Sequence, residues 1–202
     1  MADLFPIFMK LERRPVLVVG AGRIAEQKLD GLLRAGAEVH VVAPQASEAI
    51  ELLDREGRLR WSRREFAVSD VEGQFLVIAA TGDPAVNERV FRAAEDRHVL
   101  CNAVDEPERC HFYCPAVMRR GDLQIAISTA GHSPALAQRI RRELEAQFDA
   151  AYADWLRWLG EVRRRLFSRA IDPQRRRAVL HRIARNDVYE RFSRARQSGG
   201  SR

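Results

Sequence analysis

Short apolar runs alternate with amphipathic stretches over the first hundred residues of the chain. The runs are rich in β-branched residues, which is typical of strands buried on both faces, and the stretches carry apolar residues at helical spacing. Predicted strands lie at 16–19, 39–43, 59–61, 75–80 and 99–104, and predicted helices at 23–35, 46–56 and 85–97. This order predicts an α/β fold, a Rossmann-like parallel sheet built from βαβ units.

The pattern changes after residue 105. Residues 123–129 predict a separate strand, and Ser133 is the expected N-cap of a helix that runs from Pro134 to about Phe148. The segment from Ala151 onward is arginine-rich with helical spacing and is interrupted near 172–173. A small segment and a helical C-terminal region are therefore expected to follow the α/β domain.

The positive charge of the chain is concentrated at its C-terminal end. The formal net charge is +6, and residues 151–202 contain fourteen arginines against five acidic residues. This excess fits either a solvated helical face or a surface that binds an anionic partner or substrate. Apolar residues recur at helical spacing among the arginines, which favours packing over a nucleic-acid-binding arm.

The remaining composition indicates a globular protein of the cytoplasm, without membrane association. Hydrophobic residues make up 46% of the chain and charged residues 31%. No segment approaches the roughly 20 apolar residues that span a bilayer, and the N-terminus lacks the pattern of a signal peptide. The three cysteines, Cys101, Cys110 and Cys114, are an odd number and predict no disulfide framework.

The clearest chemical signal is a glycine-rich turn between the first predicted strand and helix. Residues 20–25, Gly-Ala-Gly-Arg-Ile-Ala, have the form G-x-G-x-x-G/A. Gly20 permits the tight turn, Gly22 lets the backbone approach a pyrophosphate, and Ala25 allows close packing of helix on strand. The first helical turn offers free N–H groups to the phosphates. The turn predicts a dinucleotide cofactor, against the alternative of a glycine turn kept for packing alone.

Loops at the ends of other predicted strands would face the same ligand, because ligands of such sheets bind beyond the carboxyl ends of the strands. The second strand ends at Ala43-Pro44 without the acid that usually holds the ribose, so this rule does not separate NAD from NADP. The fourth strand leads to Thr81 and then Asp83-Pro84, which fits a contact to the nicotinamide ribose, a helix N-cap, or both.

Three further stretches contain candidate chemistry. Asp105 follows the fifth strand near the expected nicotinamide ring, where a carboxylate can accept a proton, although turn formation is the alternative. Residues 110–114, Cys-His-Phe-Tyr-Cys, contain metal-ligand types but lack a second ligand pair, so no metal site is predicted. Residues 128–134 bridge a strand to a helix and fit either an anion-binding turn or simple capping.

Five segments together resemble precorrin-2 dehydrogenase, the N-terminal module of siroheme synthase. They are residues 6–8 with 18–22, then 25–28, 79–81, 102–105 and 128–134. The likeness covers about residues 4–150, and the tail resembles the C-terminal helical region of the family only loosely.

The resemblance implies a homodimeric enzyme in three parts: an NAD-binding Rossmann domain over 1–113, a dimerisation segment over 114–148 and a C-terminal helical basic region over 149–202. It implies NAD-dependent oxidation of precorrin-2 to sirohydrochlorin, and in some members also insertion of Fe2+ to give siroheme. Asp105 takes the position of the family's functional aspartate. The implied cofactor contacts are Gly22, Arg23, Ile24, Ala43 and Pro44, with Thr81, Asn102 and Val104 as neighbours. The glycine-rich turn itself adds Gly20 to the predicted cofactor-binding residues.

The implied substrate is a tetrapyrrole with eight carboxylates, which calls for cationic and N–H donors, and arginine binds carboxylates bidentately. The candidate substrate contacts are Arg119, Arg120, Ser128, Thr129 and His132. The family often has serine at the position of Thr129. A nucleotide-sensing Rossmann module without catalysis is the alternative function, and Asp105 at the nicotinamide end favours the enzyme.

Overall fold

The computed structural model describes residues 3–104 and 106–199 and divides into two compact units, Met1–Cys114 and Pro115–Arg202. The first unit contains a five-stranded parallel sheet with the strand order β3-β2-β1-β4-β5. Its strands are β1 (Pro15–Val19), β2 (Glu38–Val42), β3 (Arg60–Ser62), β4 (Leu76–Ala79) and β5 (Leu100–Ala103). The predicted Rossmann-like parallel sheet is confirmed, and the strand ends differ from the predicted ones by at most one residue.

Three helices cover the two faces of this sheet: α1 (Arg23–Arg34), α2 (Glu48–Arg55) and α3 (Pro84–Glu95). Val16 and Val18 of β1 pack in one core with residues of α1 and α2, whereas Leu17 and Val19 pack in a second core with residues of α3. Because both faces are buried at the centre of the sheet, the neighbouring strands β1 and β4 are continuous apolar runs rather than alternating ones.

The second unit begins with an antiparallel hairpin of β6 (Ala116–Arg120) and β7 (Leu123–Ile127). Gly121 in its two-residue turn has a φ of +57°, and a Cβ there would lie 3.0 Å from the Cβ of Ala153. The sequence pattern predicts β7 but misses β6, because Arg119 and Arg120 end its apolar run.

Four helices complete the second unit: α4 (Pro134–Gln147), α5 (Ala151–Phe167), α6 (Pro173–Ile183) and α7 (Asn186–Gly199). The predicted N-cap of α4 is confirmed, since the Ser133 hydroxyl accepts a hydrogen bond from the Leu136 N–H at 3.2 Å. The predicted interruption is the start of α6, where the Asp172 carboxylate accepts from two backbone N–H groups. The division of this unit into a dimerisation segment and a helical region stays a prediction.

The C-terminal helix α7 is attached to α5 by aromatic side chains. The rings of Tyr152 and Tyr189 lie 4.1 Å apart, and the Tyr189 hydroxyl donates to the Asp149 carboxylate. Burial raises the pKa of Tyr189 to about 12. Within the described part of the chain, no helix combines the length and apolarity needed to cross a membrane.

Candidate functional site

The turn from β1 to α1 requires glycine at position 20. The φ of Gly20 is +101°, and a Cβ there would lie 2.4 Å from the carbonyl oxygen of Ala80, which follows β4. The Gly20 N–H donates to the carbonyl of Val42 at the end of β2, at 2.9 Å. Gly20 therefore lets the chain turn sharply in the narrow space between the ends of β2 and β4.

Gly22 lies in open space instead, since no atom stands within 4 Å of the position that its Cβ would take. It is the N-cap of α1, with extended backbone and no side-chain cap. Gly22, Arg23 and Ile24 are exposed, and the first N–H groups of a helix have no partners within it. The result is an open cradle of N–H donors at a helix N-terminus, which fits the pyrophosphate of a dinucleotide.

The carboxyl ends of β2 and β3 form the flank of this cradle. Ala43 is buried and has both backbone groups paired: its N–H donates to the Ser62 carbonyl at 3.3 Å, and its carbonyl accepts from the Trp61 indole at 3.0 Å. Pro44 is exposed. The two residues that follow β2 at this flank therefore carry no carboxylate, and a cofactor contact of Ala43 and Pro44 stays a prediction.

The loop after β4 is organised by Asn87, a residue that sequence reasoning missed. The Asn87 Oδ1 accepts from the Thr81 hydroxyl at 2.7 Å and from the Thr81 N–H at 3.3 Å. Asp83 caps α3 by accepting from the Ala85 N–H at 2.8 Å, which confirms the capping alternative for this loop. Asn87 occupies the apolar face of α3 and is buried, and a polar residue at such a position was the available signal.

The end of β5 is closed by the segment that follows it. The buried Asn102 amide donates to the Phe112 carbonyl at 2.8 Å and to the Cys110 sulfur at 3.2 Å. The Val104 N–H donates to the Ala79 carbonyl at 2.9 Å, which joins the ends of β4 and β5. Asp105, the predicted catalytic residue, lies outside the described residues.

The cysteine and histidine residues beside β5 have structural contacts. The Cys110 thiol donates to the Ala103 carbonyl at 3.1 Å, and His111 Nδ1 accepts from the Cys101 N–H at 3.0 Å. Burial raises the pKa of the Cys101 thiol to about 12, so this cysteine stays protonated at neutral pH. Across residues 3–104 and 106–199, no three His, Cys, Asp or Glu side chains are grouped to hold a metal ion.

The predicted substrate residues lie in the second unit. The Ser128 hydroxyl accepts from the Ala130 N–H at 3.1 Å, and the Thr129 hydroxyl accepts from the Ser133 N–H at 3.2 Å. His132 in the same turn is exposed. These bonds support the capping alternative for this turn, and its predicted contact with substrate remains a prediction.

The two predicted arginines differ in their surroundings. The Arg120 guanidinium donates to the carbonyls of Glu145 at 2.7 Å and Phe148 at 2.8 Å, at the C-terminal end of α4. It also donates to the Arg119 carbonyl at 2.9 Å. Arg120 thus fixes the end of α4 on β6, whereas Arg119 is half-buried on the same strand. A substrate role for either arginine stays a prediction.

Two family models match the chain. One, described as putative NAD(P)-binding, covers residues 7–116, which includes the whole five-stranded sheet. The other, described as the central part of a sirohaem biosynthesis protein, covers residues 120–147. The predicted nicotinamide cofactor class is therefore confirmed for the first unit.

The chain is also similar to curated siroheme synthases and to one solved dehydrogenase structure. The chain is 45% identical over 170 residues to siroheme synthase 1 of Yersinia enterocolitica serotype O:8, and 44% identical over 178 residues to siroheme synthase 1 of Serratia proteamaculans. These matches cover 82% and 86% of this chain but only 36% and 37% of the relatives. The structure of SirC, precorrin-2 dehydrogenase, matches with a TM-score of 0.81 and 30% identity, over 96% of this chain and 100% of SirC.

Proposed function

We propose that this chain, which belongs to the precorrin-2 dehydrogenase family, catalyses the NAD-dependent oxidation of precorrin-2 to sirohydrochlorin in siroheme biosynthesis. The observation that carries the proposal is the match to SirC, because it extends over the full length of that protein and not over the nucleotide-binding fold alone. The chain spans about a third of the length of its curated relatives, so the proposal concerns only the reaction of this part.

The cofactor would be held by residues at the carboxyl ends of the parallel strands. Gly22, Arg23 and Ile24 would give backbone N–H groups to the pyrophosphate, in the open cradle at the start of α1. The Ala43-Pro44 peptide would lie beside the adenosine, and Thr81 beside the nicotinamide ribose. Asn102 uses its amide donor within the protein, so a cofactor contact there would come from its other polar atoms or from Val104.

The chemistry divides between cofactor and protein. When bound, the nicotinamide accepts a hydride from the substrate. The protein must orient the donor carbon, and Asp105 would accept the accompanying proton on a carboxylate oxygen. Asp105 follows β5 in the sequence, and ligands of such sheets bind beyond the carboxyl ends of the strands.

The eight carboxylates of the substrate would be met by residues of the second unit. Arg119 and the turn formed by Ser128, Thr129 and His132 are the proposed contacts. Arg120 contributes to this surface by fixing β6 and α4 through three backbone hydrogen bonds. The arginine-rich helices α5 to α7 add positive charge that attracts a polyanionic substrate.

We also propose a homodimer that acts in the cytoplasm. In the described part of the second unit, β6 and β7 pair only with each other, so each has an unpaired outer edge, and the strand Leu123–Ile127 is largely apolar. A second copy that covers the hairpin, with an interface within residues 115–145, would bury these edges. Light scattering at micromolar concentration tests this, and a monomer alone would exclude it.

The test of function is an anaerobic assay that follows NADH formation from precorrin-2 and NAD+. Turnover supports the dehydrogenase, whereas nucleotide binding without turnover supports the alternative of a regulatory nucleotide sensor. Parallel reactions with NADP+ decide the cofactor, because the end of β2 carries no carboxylate to select between them. Addition of Fe2+ or Co2+ to the sirohydrochlorin product tests whether the chain also inserts a metal ion.

A further inference from the structure

Asn87 is a buried polar residue whose side chain joins two loops of the first unit. It is 4% exposed and lies on the face of α3 that carries Val90, Phe91 and Ala94 into the core. Burial of an amide in such a place costs free energy unless its polar atoms are paired. An apolar residue would fill the position without that requirement, so the contacts of Asn87 indicate what it does there.

The hydrogen bonds of Asn87 fix the orientation of its amide. Oδ1 accepts from the N–H of Thr81 at 3.3 Å and from its hydroxyl at 2.7 Å. Nδ2 donates to the carbonyl of Thr81 at 3.3 Å and to the Glu106 Oε1 at 3.2 Å. A reversed amide would place Oδ1 against the carboxylate of Glu106, so only this orientation satisfies all four contacts.

Glu106 is held on its other side as well. Its second carboxylate oxygen contacts the Arg109 guanidinium, and its carbonyl accepts from the Arg109 N–H at 2.9 Å. Arg109 also pairs with Glu88, the residue after Asn87 on α3. The loop after β5 is therefore tied to α3 by two separate side-chain contacts.

We propose that Asn87 is a positioning residue that holds the loop after β4, with Thr81, and the loop after β5, with Glu106, in one fixed relation. The proposal rests on the proposed function, in which Thr81 contacts the nicotinamide ribose and Asp105, next to Glu106, accepts the proton. A group displaced by about 1 Å from its productive geometry can lower the rate about 100-fold, so a link between these loops acts on turnover more than on binding.

The sharpest test is Asn87→Asp, because this variant keeps the shape of the side chain and the acceptor for Thr81. It loses both N–H donors and places a carboxylate against Glu106. We expect kcat for NADH formation to fall about 10- to 100-fold, with the Kd for NAD+ and the KM for precorrin-2 changed less than about threefold.

The pH dependence separates positioning from loss of packing. Burial and the neighbouring Glu106 raise the pKa of the introduced carboxyl, and its protonated form regains a donor toward Glu106. The ratio of kcat in Asn87→Asp to kcat in the wild type should therefore rise as the pH is lowered. Asn87→Ala has no group to protonate, and its ratio should stay flat.

Asn186→Asp is the matched control. The Asn186 amide also donates to a glutamate, Glu190, at 2.9 Å, but on the exposed surface of α7. This variant makes the same chemical change and should keep wild-type kcat. Circular dichroism and thermal unfolding verify that each variant is folded.

If Asn87→Asp does not fold, Glu106→Gln replaces it. An amide at position 106 cannot accept from both Asn87 and Arg109, so kcat should again fall with little change in NAD+ affinity. Wild-type kcat in folded Asn87→Asp, a ratio that does not rise toward low pH, or wild-type kcat in Glu106→Gln overturns the inference. A wild-type protein that forms no NADH overturns the proposed function and this inference with it.

Discussion

The substitution Gly22→Asp separates the stability of the fold from the binding of the cofactor. Gly22 is the N-cap of α1, its φ of −94° suits any residue, and a Cβ there meets open space. An aspartate at an N-cap accepts hydrogen bonds from the first N–H groups of the helix. The cap would engage the N–H of Ile24, which the cofactor pyrophosphate would also use, and it would place a negative charge inside the cradle. The new carboxylate therefore satisfies the helix and excludes the phosphate.

The two effects have opposite signs. The cap contributes a few tenths of a kcal/mol relative to glycine, and the favourable charge at the helix N-terminus adds about 0.3–1 kcal/mol. The variant without ligand should therefore be more stable by about 0.5–1.4 kcal/mol, which raises Tm by about 1–6 °C for a chain of this length. The Kd for NAD+ should rise at least about 100-fold, or about 2.8 kcal/mol.

Thermal unfolding with and without NAD+ measures both effects in one experiment. At a concentration about 100 times the Kd, NAD+ stabilises the wild type by about 2.7 kcal/mol, whereas the variant should gain almost nothing. The order of the two melting temperatures should therefore reverse when NAD+ is added. Gly31→Asp is the control, since it adds a carboxylate to the exposed face of the same helix, also in open space.

Two results would refute the reasoning. Wild-type affinity for NAD+ in Gly22→Asp would mean that the phosphates do not bind at the start of α1. A loss of more than about 2 kcal/mol of stability without ligand would mean that the fold itself requires glycine at position 22. A fold has this requirement where backbone strain and close packing combine.

Three further predictions follow from single contacts. Gly20→Ala should destabilise the fold by about 2–4 kcal/mol in urea unfolding, because positive-φ strain adds to a clash with the Ala80 carbonyl; an unchanged midpoint would contradict this. Asp105→Ala should lower NADH formation from precorrin-2 by about 10²–10⁴-fold with NAD+ binding retained, and wild-type turnover would make Asp105 only a turn former. The Arg64 guanidinium, hydrogen-bonded to Asp70, lowers the pKa of that carboxyl. The ionised Asp70 therefore stabilises the fold above the unfolded pKa of about 3.9, and this stabilisation is lost as the pH falls through the folded pKa. Asp70→Asn should therefore be less stable than wild type at neutral pH and nearly equal to it at low pH, and a gap that stays constant across this range would disprove the assignment.

Local patterns in the sequence determined the α/β fold and the cofactor turn. The apolar runs of β1 and β4 carry the signal of doubly buried strands in their own residues. The N-cap at Ser133 depends on a neighbour three residues away, and the positive φ at Gly20 is a backbone conformation that glycine adopts readily. Such features are visible before the chain is assembled.

The tertiary structure alone decided which side chains meet. Asn87 and Glu106 are nineteen residues apart and come within 3.2 Å only because β4, α3 and β5 pack together. Arg120 donates to carbonyls 25 and 28 positions away, which gives a structural task to a residue whose charge predicted a substrate contact. The side-chain types allow many partners, and the packing of distant elements selects one, because a buried polar group is stable only where its hydrogen bonds are satisfied.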